Sequence, residues 1–148
     1  MRTVIQRVRH ASVTVDGRVT GNIGQGLLVL AGFAPTDDTR HLDWMARKLV
    51  QLRIFSDEEG KMNRSVQDVG GQVLVVSQFT LLADARKGNR PSYIGAAPPS
   101  VAIPLYEQFV GMLEQLLGQA VPTGEFGADM QVELLNDGPV TIVLDSPE

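Results

Sequence analysis

Leu27-Leu28-Val29-Leu30-Ala31-Gly32-Phe33 is an unbroken apolar run, and it constrains the fold more than any other stretch. A short run without polar alternation fits a strand buried on both faces, so the fold must supply cover above and below it. Val73 to Leu82 reads as a second buried strand, entered through Gly70-Gly71. The cover is legible too. Leu42, Met45, Ala46, Leu49 and Leu52 recur at helical spacing and predict a helix over 38–52, after the turn and cap residues Pro35 to Asp38. Leu105, Phe109, Met112, Leu113 and Leu116 form the stripe of a second helix, capped by Ser100, with Pro104 tolerated in its first turn and Gly118 ending it.

The remaining elements are strands. Residues 3–9, 11–15 and 18–23 alternate, and Asp16-Gly17 between the last two is a strong hairpin signal. Met130, Val132 and Leu134 alternate in a further strand, and Val140 to Leu144 gives the last. Residues 86–100, with Pro91, Pro98 and Pro99, read as an irregular crossing loop. The expected fold is α+β: a single domain over 1–148, with a mostly antiparallel, barrel-like β core and two main helices.

Charge and composition narrow the function. The net charge of −4 hides an asymmetry: every Lys and Arg lies at or before Arg90, and only Asp and Glu follow it. A protein that wraps a duplex neutralises many phosphates and is usually basic, so this chain suits an RNA end, held locally, better than an extended duplex. No cysteine is present, which removes disulfides, thiolate nucleophiles and thiolate metal sites. His10 and His41 are far apart in sequence and lack metal-ligand spacing, so neither metal nor cofactor is expected. His41 reads as a solvated residue in the first turn of a helix. No apolar stretch approaches membrane-spanning length, and Met1 to Arg7 reads at once as a strand, so a cytoplasmic home is the default.

Two segments attract chemical interest. Ser77-Gln78-Phe79-Thr80-Leu81 closes a buried strand with two hydroxyls, an amide and backbone N–H groups. Asn136-Asp137-Gly138-Pro139-Val140-Thr141 places Gly-Pro where a strand would otherwise continue. On residue physics alone, the first can be plain alternating strand and the second a hairpin turn with proline opening a strand. The basic cluster Arg86-Lys87-Gly88-Asn89-Arg90 likewise suits an ordinary solvated loop.

Taken together, these stretches resemble the bacterial D-aminoacyl-tRNA deacylases from end to end. The matching blocks are Met1 to Val8, Ser12 to Gly17, Leu52 to Phe55, Gly60 to Asn63, Val75 to Leu81, Arg86 to Gly88, Ala96 to Pro99, Phe126 to Met130 and Asn136 to Thr141. The resemblance implies a cytoplasmic homodimer that hydrolyses the ester between a D-amino acid and the terminal ribose of tRNA. Glycyl-tRNA mischarged on an alanine tRNA is an expected second substrate, since glycine is achiral. The active site would lie at the subunit interface. Ser77, Gln78, Phe79 and Thr80 would line it in one subunit, and Gly138-Pro139, cis in the family, would enter from the other and reject L-amino acids, with Arg7 holding its geometry. Phe126 and Met130 would lie against the terminal adenosine, and Arg86, Lys87 and Arg90 would meet tRNA phosphates. The backbone N–H groups of Phe79 and Thr80 are the candidate oxyanion donors. The attacking group stays open between water, Thr80 and ribose-assisted water. Two alternatives stand beside this reading: a related editing deacylase with relaxed chirality, and a non-catalytic dimer that binds RNA ends.

Overall fold

The computed structural model describes residues 1–148. Asp16 and Gly17 both adopt positive φ, 49° and 76°, the left-handed pair that a two-residue connection needs. They fold β1 (Arg2–Val15) back onto β2 (Arg18–Ile23), as the Asp-Gly signal predicts. β3 (Gly26–Gly32) takes the rest of the same edge of β1: residues 2–8 of β1 pair with β3 and residues 11–15 with β2. β7 (Gln131–Asp145) runs antiparallel along the other edge, from Arg2 opposite Asp145 to Thr14 opposite Gln131. β1 is thus one long central strand, where two shorter ones were expected.

β6 (Gln72–Ser77) joins β3 in parallel, giving the order β2-β1-β3-β6 with β7 beside β1. The sheet is therefore mixed, with one parallel pair among antiparallel ones. A shift of register between Val8 and His10 changes which residues of β1 face which side. Ile5 packs on the helical side, whereas Val8, Ala11 and Val13 pack together on the opposite side with Ile23, Leu28, Leu74 and Val76. The central apolar run is covered on both faces as required: Leu27, Val29 and Ala31 lie in one core and Leu28 in the other.

Two helices cover the larger core. α1 (Thr39–Gln51) buries Leu42, Met45, Ala46, Leu49 and Val50. Its N-terminus is a capping box: Asp38 accepts from the Arg40 N–H at 2.9 Å, and His41 Nδ1 accepts from the Asp38 N–H at 2.9 Å. His41 is therefore a cap, with its side chain only 16% exposed, and not the solvated residue expected from sequence. Between the helices in sequence lies a small hairpin, β4 (Phe55–Ser56) with β5 (Met62–Arg64), which the sequence reading missed. The Asp57 carboxylate organises it by accepting from the N–H groups of Glu59 and Lys61 and from the Asn63 amide.

α2 (Pro99–Leu117) begins earlier than predicted, with Pro98 in place of Ser100 at the N-cap. Proline suits the first helical position, where no N–H partner exists. Pro104 consequently falls inside the helix, beyond the first turn. Gly118, at φ 67°, closes α2 as expected and donates to the Glu114 carbonyl. Ala102, Tyr106, Phe109 and Leu113 are its buried residues.

Two further departures from the sequence reading shape the site. The strand expected over 73–82 stops at Ser77, and the chain winds into a 3-10 turn over Phe79–Leu82. Gly32 permits this: a Cβ there would lie 2.5 Å from Leu82 Cδ2 and 2.9 Å from the Gln78 carbonyl oxygen. The two strands expected around Gly138-Pro139 are one strand, and the pair forms a bulge within it, not a hairpin turn.

Candidate functional site

The end of β6 meets the end of β3 beside the segment between α2 and β7, and an open cleft of roughly 240 Å³ lies there. Ser77, Gln78 and Phe79 form one wall, Phe126, Gly127, Ala128, Met130 and Val132 another, and Gly32, Phe33, Ala97 and Ala102 the floor and rim. The Gln78 N–H, just ahead of the turn, donates to the Ala31 carbonyl of β3, and the Ala97 N–H, on the segment leading to α2, donates to the Phe33 carbonyl, each at 2.8 Å. The leading N–H groups of a helical turn have no partner within it, and in this turn those are the N–H groups of Phe79 and Thr80.

None of the fourteen lining residues carries an ionisable side chain. Hydrogen bonding by backbone, hydroxyl and amide is therefore the chemistry that the cleft walls offer. Thr80 is not a lining residue; its hydroxyl accepts a short hydrogen bond from the Gln78 side-chain amide. An amide cannot take up a proton at ordinary pH, so Thr80 has no base beside it. Phe79 is 54% exposed at the mouth, where its ring meets Tyr93 edge-on at 5.2 Å.

The second sequence motif forms a separate group in this chain. Val8 pairs with Asn136 and Gln6 with Thr141, so residues 137–140 oppose Arg7 alone and push out of the ladder. The Gly138-Pro139 peptide is cis, and both residues are exposed. Arg7 lies beneath them, its side chain only 12% exposed. Its guanidinium donates to the Asp137 carbonyl at 3.0 Å and to the Ile54 carbonyl at 2.7 Å. Asn136 spans the bulge from the other side: Oδ1 accepts from the Val140 N–H and Nδ2 donates to the Thr141 hydroxyl, both at 3.0 Å. Gly138 has φ 131°, a conformation that side chains rarely adopt, and a Cβ there would lie 2.9 Å from the Arg7 guanidinium. Asn136 and the Ile54 carbonyl were not singled out from sequence; Asn136 stood within the quoted motif without a role.

Arg86, Lys87 and Arg90 line a third, fully polar recess with Asp84 and Ser92. Arg86 is tied to Asp84 at 2.6 Å, and this ion pair holds the Asp84 carboxyl below its usual range. The structure thus unites Ser77, Gln78 and Phe79 with Phe126 and Met130 in one cleft. Arg7, Gly138 and Pro139 are assembled as a separate bulge, and Gly138 and Pro139 do not line the cleft of their own chain. The small residues of the cleft floor, Gly32, Ala97 and Ala102, were also missed. Their signal is only their size, which leaves room for a ligand.

Comparison with known proteins identifies the architecture. A family model described as D-Tyr-tRNA(Tyr) deacylase matches residues 4–145. The D-aminoacyl-tRNA deacylase of Dechloromonas aromatica (strain RCB) is 63% identical over 146 residues, covering 99% of this chain and 97% of that protein. The chain belongs to the D-Tyr-tRNA(Tyr) deacylase family. A solved c-Myc DNA unwinding element binding protein is 44% identical, with a TM-score of 0.93 over the whole of both chains. A probable eukaryotic D-amino acid tRNA deacylase shares the family's fold at a TM-score of 0.83, with 18% identity over 97% of each chain.

Proposed function

We propose that this chain is an aminoacyl-tRNA deacylase that hydrolyses the ester joining a D-amino acid to the terminal ribose of tRNA. One observation carries the reading: Ser77, Gln78 and Phe79 converge on one cleft with Phe126 and Met130, in a chain of this family. The terminal adenosine lies against Phe126 and Met130, and the scissile carbonyl sits at the turn. The N–H groups of Phe79 and Thr80 donate to the oxyanion as it forms, a service worth about 10²–10³ in rate per donor. Water attacks, aided by the ribose 2′-hydroxyl, because no side chain of the cleft can serve as base.

Chirality is read by backbone. Two copies pair so that Gly138-Pro139 of each enters the cleft of the other, and its carbonyls hold the substrate amino group. An L side chain would then point into rigid main chain, which yields less than mobile side chains. Such a wall does not exclude achiral glycine, so glycyl-tRNA mischarged on an alanine tRNA is also a substrate. Support comes from the exposure of the pair in the single chain and from its bracing by Arg7 and Asn136. The reading places the enzyme in the cytoplasm, where charged tRNA is used.

A nucleic-acid-binding dimer without hydrolysis is the second reading, favoured by the name of the 44% identical neighbour. Purified protein incubated with excess D-tyrosyl-tRNA separates the two. Repeated release of D-tyrosine, undiminished by a chelator, supports the deacylase; binding without release supports the alternative.

A further inference from the structure

Beside the cleft, the segment leading to α2 carries an apolar patch that nothing in the chain covers. Ile94 is 90% exposed and Tyr93 42% exposed, and the Tyr93 ring packs against Phe79 at the cleft mouth. Asp84 and Ser92 exchange two backbone hydrogen bonds of 2.8 Å, closing residues 85–91 into a loop next to this patch. Of its three cations only Arg86 is paired, with Asp84; Lys87 and Arg90 are exposed and make no ion pair.

We propose that Tyr93, Ile94, Lys87 and Arg90 form a binding platform for the single-stranded nucleotides that precede the terminal adenosine. This rests on the reading of the cleft as the site of that adenosine. A base stacks on Tyr93 and Ile94, and the flanking phosphates lie on Lys87 and Arg90. Aromatic faces interleaved with cations are the usual means of holding unpaired nucleotides. Two observations give the direction. Phe79 belongs both to the cleft wall and to the Tyr93 contact, so platform and cleft are continuous. On the other flank, the recess between α2 and Thr123–Phe126 has Glu107 as its one charged lining residue, and no Lys or Arg follows Arg90 in the chain. Phosphates are attracted on the first side and repelled on the second.

The test compares two ligands at fixed ionic strength: an RNA tetranucleotide with the sequence of a tRNA 3′ end, and adenosine 5′-monophosphate. Tyr93→Ala should weaken the tetranucleotide roughly 5- to 150-fold, the factor that stacking of one base supplies, and leave the mononucleotide unchanged. Ile94→Ser should act in the same direction, and at a residue so exposed it leaves the fold intact. Lys87→Ala with Arg90→Ala should reduce the salt slope of tetranucleotide binding by about 1.4, for two phosphates on a single strand. Equal loss for both ligands would overturn the platform, since Tyr93 would then only prop Phe79. Unchanged tetranucleotide binding in both apolar variants would also overturn it. A protein that binds the tetranucleotide through the platform but releases nothing from D-tyrosyl-tRNA would uphold this site and sink the hydrolytic reading.

Discussion

Ser77, Gln78 and Thr80 stand at a place where an ester hydrolase would ordinarily hold a histidine or a carboxylate, yet the cleft contains neither. The pH profile of kcat/KM should therefore lack the bell that an enzymic acid and base impose, and follow only the substrate's own titration. A bell centred between the usual His and carboxylate values would place an ionisable group in the cleft and contradict this site. Thr80→Ala should keep most of the activity, because its hydroxyl accepts from Gln78 and has no base. A loss of order 10⁴-fold in single-turnover rates would instead mark Thr80 as nucleophile. Arg7→Ala, which removes the donors to the Asp137 and Ile54 carbonyls, should relax discrimination between D- and L-substrates and leave RNA affinity nearly intact. Much of this was legible in the sequence, since Ser77, Gln78, Phe79, Phe126 and Met130 do share one cleft. Asn136 and the small residues Gly32, Ala97 and Ala102 were not, because their contribution is a bridging geometry or an absence of bulk that only the packed chain reveals.

The Asp16-Gly17 turn and the end of α2 follow from local chemistry, whereas the end of the strand expected over 73–82 is decided by a neighbouring element. Asp16-Gly17 and Gly118 act locally and behave as predicted. The strand over 73–82 continues as an apolar pattern, but β3 ends at Gly32 and the chain folds over it at Ser77. Carboxylates fix several of these junctions. The Asp38 carboxyl, bonded by the Arg40 guanidinium, is lowered from 3.8 to about 2. Those of Asp57, bonded by Asn63, of Asp68, bonded by the Ser65 backbone, and of Asp145, bonded by Arg2, are also depressed. A depressed carboxylate contributes stability above its unfolded value and loses it as pH falls through the folded one. The melting temperature should therefore hold steady above the 3.8 of an ordinary Asp and decline between there and about 2, followed by calorimetry. A decline beginning near neutral pH would point to a different group. In the core, Phe109 of α2 is fully buried, and Phe109→Ala should cost about 3–5 kcal/mol in chemical denaturation.

The whole molecule divides its chemistry between two surfaces that one chain does not bring together. The cleft gathers Ser77, Gln78 and Phe79 with Phe126 and Met130, the residues proposed to meet the oxyanion and the adenosine, while the bulge of β7 carries the exposed Gly138-Pro139 pair elsewhere. β7, fifteen residues long, also lies at a free edge of the sheet and pairs with β1 alone, on both sides of its bulge. In the proposed twofold pairing each bulge would enter the other copy's cleft and complete both sites at once. Disrupting that pairing should abolish turnover, with the folded state intact by circular dichroism. The measurement that bears most directly on the central claim is deacylation of matched D- and L-tyrosyl-tRNA by the purified protein at equal concentration. The account predicts rapid release of D-tyrosine, with L-tyrosyl-tRNA hydrolysed no faster than in buffer. Equal rates on both, or release from neither, would contradict it.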